Sequence, residues 1–312
     1  MEHILSVEQY NKVSLESLFQ KADEFKEQIS DPKQRRDLVD THLGQRLCSL
    51  FYEPSTRTRL SFETAAVSLG MGLVSTENAK EFSSAIKGET LEDTIRVLDG
   101  YGYGVIVMRH YETGAAKRAS EVCKRTSIIN AGDGKGEHPT QALLDVYTIS
   151  RKCGRLDNLK VVIGGDLANG RTARSLAKMI STYENNKISF VSIPELRIGE
   201  DIKEFLREKR TSFEEMSELP QVFKNADVVY WTRLQKEREK NLDLLNSKNF
   251  IINRESLELL PKTAIIMHPL PRVDEISVEV DSDSRAVYFE QAENGLYIRM
   301  ALIDNLLPRT NQ

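Results

Sequence analysis

RLCSLFYEPSTRTRLSFETAAVSLG, Arg46 to Gly70, is an apolar run, a proline, and then Ser55-Thr56-Arg57-Thr58-Arg59 leading directly into an amphipathic stretch. The apolar run has the length of a strand and Leu60 to Leu69 has helical spacing, so the segment reads as strand, turn, helix. The same alternation continues along the chain. VIVM (Val105 to Met108), KVVIGG (Lys160 to Gly165), KISFVSI (Lys187 to Ile193), DVVYWT (Asp227 to Thr232) and AIIMH (Ala264 to His268) are separated by helical stretches such as Thr172 to Ile180 and Ile202 to Leu206. Short apolar strands alternating with helices predict an α/β fold, with mostly parallel sheets covered by helices on both faces.

At 312 residues and 35.5 kDa the chain is long enough for two domains, each with its own core. HPTQALLDVYTISRK, His138 to Lys152, reads as a long helix with Pro139 in its first turn and no breaker inside, placed to bridge them. Gly295 to Leu307 reads as a terminal helix. Forty-three basic and 47 acidic residues give a net charge of −4, so bulk charge draws the chain to neither nucleic acid nor anionic lipid. Any anion must be met locally. No apolar run approaches the roughly 20 residues of a membrane span, and MEHILSVEQYNK lacks the layout of a secretory signal. A cytoplasmic protein with no membrane partner is expected. Cys48, Cys123 and Cys153 are widely spaced, with no C-x-x-C, which argues against a disulfide framework or a zinc knuckle; buried, reduced thiols are expected.

Ser55 to Arg59 has the makings of an anion trap. A helix N-terminus offers unsatisfied N–H groups and a positive dipole end, three hydroxyls add donors, and Arg57 can clamp two phosphate oxygens. The plainer reading is a Ser/Thr N-cap followed by solvated arginines; three hydroxyls and two arginines in five positions favour phosphate. Gly165 to Thr172, GDLANGRT, follows a strand and precedes a helix, and departs from a nucleotide P-loop in carrying Arg171 where Lys is required. Asp166 inside such a cradle would repel phosphate, and DVVYWT ends in Arg233 rather than in a Mg²⁺-binding Asp. Of the histidines, His138 has Gln141 one turn along, so the pair can point at one small polar group. His268 stands at a strand end, where a structural role competes with a catalytic one.

With STRTR at 55–59, HPTQ at 138–141, GRT at 170–172, TRLQKER at 232–238 and HPLPR at 268–272, the chain resembles the catalytic chains of the aspartate carbamoyltransferase family. The resemblance covers nearly the whole length in the family's order. It implies a carbamoyl-phosphate-binding domain over 1–137 with a C-terminal helix (about 295–312) returning to it, a bridging helix over 138–152, and an aspartate-binding domain over 153–294. It further implies that Ser55, Thr56, Arg57 and Thr58 hold the phosphate, joined by Arg109. Thr58, Arg109 and His138 would polarise the carbonyl where charge builds in the transition state. Gln141 and the backbone at Pro269 and Leu270 would hold the carbamoyl amide. Arg171, Arg233 and Gln235 would bind the two carboxylates of aspartate, a task suited to guanidinium groups. Glu53 would orient Arg171 or Arg238.

The family also places a serine and a lysine in a neighbouring subunit's site. The matching segment here is KEFSSAIKGETLEDT, so Lys87 and Ser83 would complete another chain's site, Ser84 remaining an alternative for the serine. A homotrimer would then be the smallest active unit. The implied reaction, at the start of pyrimidine synthesis, joins carbamoyl phosphate to the uncharged amine of L-aspartate without metal or cofactor, and no protein general base is named. Ornithine carbamoyltransferases share the first domain but carry Cys before Leu-Pro where this chain has Pro269, and TRLQKER suits a dicarboxylate better than a diamine. An inactive homologue would be expected to lose some motif positions, and all that match are occupied. Ala168 and Asn169 stand where some regulated bacterial relatives have a lysine and an aromatic residue that help hold catalytic trimers together in the inactive state, a departure that speaks against that control here; a separate regulatory chain is left open.

Overall fold

The computed structural model describes residues 2–82, 84–217, 220–233 and 251–309. The chain divides into two compact units, Met1–Thr140 with Asn294–Gln312, and Gln141–Glu293.

In the first unit β1 (Arg46–Phe51), β2 (Gly72–Thr76), β3 (Val105–His110) and β4 (Ser127–Asp133) form a wholly parallel sheet in the order β2-β1-β3-β4. Helices α1 (Lys12–Ser30), α2 (Gln34–Asp37), α3 (Thr56–Ser68), α4 (Ala79–Phe82), α5 (Leu91–Gly100) and α6 (Ala115–Val122) connect and flank its strands. β1 is buried after its first residue and β4 throughout, as strands covered on both faces must be. Helix α1 is started by a reciprocal capping box between Asn11 and Ser14. It buries Leu15, Leu18, Phe19, Ala22 and Phe25, one stripe at helical spacing. Each large side chain so buried contributes about 1.5–3 kcal/mol.

Helix α7 (Pro139–Cys153) carries the chain into the second unit. There β5 (Lys160–Gly164), β6 (Lys187–Val191), β7 (Ser212–Met216), β8 (Val228–Trp231) and β9 (Ile265–Met267) form a second parallel sheet, ordered β7-β6-β5-β8-β9. Helices α8 (Arg171–Ile180), α9 (Glu200–Glu208), α10 (Pro220–Phe223) and α11 (Arg254–Leu259) accompany it, and α12 (Tyr288–Leu306) leads back out. The α/β class expected from the strand-helix alternation is the observed one.

Both sheets reverse their strand order once. From β1 the chain builds β2 on one side and returns to place β3 on the other; from β5 it builds β6 and β7, then places β8 on the far side of β5. Ligands of open α/β sheets bind beyond the carboxyl ends of the strands at such reversals.

Three expectations are corrected. α3 starts at Thr56 rather than Leu60, so the hydroxyl-arginine run forms its first turn. α12 starts at Tyr288 rather than Gly295; the glycine is buried inside the helix, and packing outweighs its roughly 1 kcal/mol helix penalty. Of the thiols only Cys48 is buried, Cys123 and Cys153 being half-buried. Burial pushes Cys48 and Cys123 up to about 12 and Cys153 up to about 11. Among the described residues no helix is long and apolar enough to cross a membrane.

Candidate active site

In the first unit, the segment after β1 brings the hydroxyl-arginine run to the carboxyl edge of the sheet. Ser55 is the N-cap of α3 in extended conformation, yet its side chain makes no capping hydrogen bond. The plainer N-cap reading therefore fails for Ser55, and the helix keeps first-turn N–H groups and its positive dipole end for an incoming anion. Thr58 is buried, while Thr56 and Arg57 are exposed. Arg59 is engaged elsewhere: its guanidinium pairs with Glu63 at 3.2 Å and Glu77 at 2.9 Å, and donates to Ser75 Oγ at 3.4 Å. The structure thus separates the two arginines of the motif, Arg59 held in these pairs and Arg57 exposed at the helix start.

Arg109 sits at the end of β3, where the pairing with β4 shifts register between Met108 and His110. Such an irregularity re-aims the side chain it carries. Arg109 Nε lies 3.5 Å from Glu53 Oε2, so Glu53 pairs with Arg109 inside this unit. His138 follows β4 and is buried; its Nε2 is 3.5 Å from Thr58 Oγ1 and its Nδ1 3.4 Å from Thr140 Oγ1. Ser55 to Thr58, Arg109 and His138 therefore gather where β1, β3 and β4 end. Lys87 is exposed, closing a short 3-10 turn (Ser84–Lys87) beyond the edge strand β2. Ser83 lies outside the described residues.

In the second unit, β5 and β8 pair from Val161↔Val228 to Gly164↔Trp231. At the end of this pairing Gly164 faces the Trp231 ring and Gly165 the Thr232 backbone, each leaving no room for a Cβ. A Cβ on Gly164 would stand 2.0 Å from Trp231 Cζ3, and one on Gly165, at φ +107°, 2.1 Å from the Thr232 carbonyl oxygen. Asp166 then turns its carboxylate into the loop, accepting from the Asn169 N–H at 3.0 Å and from its amide at 3.2 Å. A carboxylate fills the place that a phosphate would take in a P-loop, which removes the nucleotide-cradle reading of GDLANGRT. Arg171 opens α8, buried, and Arg233 follows β8, half-buried. The two arginines stand at the carboxyl ends of neighbouring strands, on either side of the order reversal. Gln235 and Arg238 lie outside the described residues.

The segment after β9 carries Pro269 and Leu270, both half-buried. Leu270 has φ +54°, a left-handed conformation uncommon for a leucine and characteristic of constrained functional loops. It is held by His268, which is 1% exposed and structurally engaged at every polar atom of ring and N–H. His268 Nδ1 accepts from the Leu270 N–H at 2.8 Å, Nε2 meets Glu275 Oε1 at 2.8 Å, and its N–H donates to Gln291 Oε1 at 2.9 Å. Burial raises the Glu275 carboxyl, but the hydrogen bond and charge of His268 and the backbone N–H donors of Glu275 and Val273 together outweigh it and hold the pKa below its usual value. Gln141 donates from Nε2 to Asp145 Oδ1 at 2.9 Å, and Gln291 Nε2 donates to the same oxygen at 2.7 Å. Sequence reasoning missed Asp145, Glu275 and Gln291; for Asp145 the i, i+4 spacing from Gln141 was the available signal.

Residues 2–151 match the family model for the aspartate/ornithine carbamoyltransferase carbamoyl-P binding domain, and residues 157–306 that for the Asp/Orn binding domain. The chain is 51% identical over 309 residues to the chloroplastic aspartate carbamoyltransferase of Oryza sativa subsp. japonica, covering 97% of this chain and 84% of that one. It is 44% identical over 309 residues to the aspartate carbamoyltransferase catalytic subunit of Methanocaldococcus jannaschii, covering 98% of each. Its fold is similar to that of the Trypanosoma cruzi aspartate transcarbamoylase crystallised with carbamoyl phosphate and aspartate, with a TM-score of 0.90, 36% identity, and coverage of 98% of this chain and 97% of that one.

Proposed function

The chain belongs to the aspartate/ornithine carbamoyltransferase family, and we propose from that premise that it transfers the carbamoyl group of carbamoyl phosphate to the amino group of L-aspartate, giving N-carbamoyl-L-aspartate and phosphate. The observation that carries the choice of aspartate is the placement of Arg171 and Arg233 at the ends of β5 and β8. Two guanidinium groups at one strand-order reversal suit two substrate carboxylates and would repel the side chain of ornithine.

In this reading the first turn of α3, with Ser55, Thr56, Arg57 and Thr58, holds the phosphate together with Arg109. Thr58, Arg109 and His138 polarise the carbamoyl carbonyl; Gln141 and the backbone at Pro269 and Leu270 take its amide. Arg171, Arg233 and Gln235 bind aspartate. The amine lone pair attacks the carbonyl carbon, negative charge collects on the carbonyl oxygen among those donors, and the carbon–oxygen bond to phosphate breaks. Orientation and charge stabilisation supply the rate. The departing phosphate is basic enough to take the amine proton, so no protein base is assigned. The product feeds pyrimidine synthesis.

The shared-site element of the reading is a homotrimer in which Lys87, with Ser83 or Ser84, reaches a neighbouring chain's site. Exposure of Lys87, of the adjacent Ile86 and of Val74 on the edge strand β2 supports it. The test supplies the purified chain with carbamoyl phosphate and either L-aspartate or L-ornithine and measures the ureido product. Carbamoyl-aspartate is expected; product from ornithine alone would contradict the substrate assignment while leaving the family intact.

A further inference from the structure

Gln141 holds its amide one way round. Asp145 Oδ1 accepts from Gln141 Nε2 at 2.9 Å and from Gln291 Nε2 at 2.7 Å, and Asp145 is fully buried. An oxygen that receives two N–H groups is an acceptor whether or not the other carboxyl oxygen carries a proton. Gln291 confirms the direction from its far end, because its Oε1 meets the His268 N–H, which can only donate. Flipping Gln141 would set its oxygen 2.9 Å from Asp145 Oδ1, two acceptors facing each other in a place that is only 9% exposed at Gln141.

The loop after β9 is arranged to the same end. Pro269 has no N–H, and the Leu270 N–H is engaged by His268 Nδ1 at 2.8 Å. The backbone there offers carbonyl oxygens only. Through Gln291 and His268 this loop hangs on the same Asp145 oxygen as Gln141.

We propose that Asp145 is a positioning residue that fixes the Gln141 amide oxygen toward the substrate, so that the site presents acceptors alone and selects the amino group of a carbamoyl donor over the methyl group of an acetyl donor. The inference rests on the reading of Gln141, Pro269 and Leu270 as the carbamoyl contacts and goes beyond it, in assigning a residue that touches no substrate and a basis for donor selectivity. An N–H donor completes these acceptors; a methyl group leaves them unpaired and shielded from water.

The experiment compares transfer to L-aspartate from carbamoyl phosphate and from acetyl phosphate, as the ratio of kcat/KM values, in the wild type and in Asp145→Leu, Asp145→Ser and Asp145→Asn. In the Leu variant, or in the smaller Ser variant should Leu not fold, the ratio is expected to fall about 10- to 100-fold, the loss lying on the carbamoyl side. Asp145→Asn keeps an acceptor oxygen at the same place and should retain the ratio within about threefold, a rescue that a role in folding or charge alone does not give. An unchanged ratio in both acceptor-less variants, an equal fall for both donors, or an Asn variant as indiscriminate as Leu would overturn the role of Asp145. A wild type that makes no carbamoyl-aspartate would instead overturn the functional reading beneath it.

Discussion

Thr58 Oγ1 and His138 Nε2 lie 3.5 Å apart although 80 positions separate them in the chain. The contact joins the first turn of α3, which follows β1, to the residue that precedes α7, which follows β4. In the proposed reading both act on one atom, the carbonyl oxygen of carbamoyl phosphate. His138→Ala and Thr58→Ala are each expected to lower kcat by about 10²–10³, the usual effect of removing one transition-state donor. Because they act on one oxygen, the double variant should lose less than the product of the single losses. Steady-state kinetics at saturating substrates measures this, and fully multiplicative losses would separate the two residues' roles.

Replacing Gly164 tests how tightly β5 and β8 are set. A methyl group there would lie 2.0 Å from the Trp231 ring, which is itself fully buried. Gly164→Ala is expected to lower stability by about 3 kcal/mol, at the upper end for overpacking. The urea midpoint should fall accordingly; a midpoint within error of the wild type would show that the ring moves freely.

Asp304, on α12, ties that helix to α1 and to His42. Its side chain is 1% exposed and meets Lys21 at 2.7 Å, His42 Nε2 at 3.0 Å and Arg309 at 2.8 Å. Burial alone raises the carboxyl, but its three partners outweigh that and hold the pKa far below the carboxylate range. A depressed folded-state pKa gives stability that is complete above the unfolded value of about 4 and is lost as pH falls below it. Asp304→Asn should therefore cost about 3 kcal/mol at neutral pH, with the gap to the wild type narrowing in acid. Denaturant unfolding at pH 7 and near pH 3 reads this out, and a gap constant across that range would contradict it.

The sequence made the buried strands legible because a parallel strand covered on both faces is continuously apolar. Three strands do not read as such. β2 is GLVST with mixed exposure, β7 is SFEEM with no buried residue, and β4, SIINAGD, is buried throughout but broken as an apolar run by Asn130, Gly132 and Asp133, whereas the edge strand β9 is apolar and legible. Site residues announced themselves where several polar groups crowd one helix start, as at Ser55 to Arg59. Which arginine of that run is available was not legible, since Arg59 is claimed by Glu63 and Glu77, one local and one distant in the chain. Nor was the function of Asp166, which closes its own turn, or the orientation imposed on Gln141 by Asp145 and Gln291. Such assignments depend on which partner a side chain meets in space, and periodicity carries no record of that.

The most direct test of the account concerns Arg233 and the dicarboxylate. Arg233→Ala should raise the KM for L-aspartate by about 10²-fold or more, the effect of removing one charge-assisted carboxylate contact, while equilibrium binding of phosphate to the first unit's site stays within about twofold. An Arg233→Ala enzyme whose KM for aspartate is unchanged, or whose phosphate affinity falls as steeply, would contradict the division of labour between the two units.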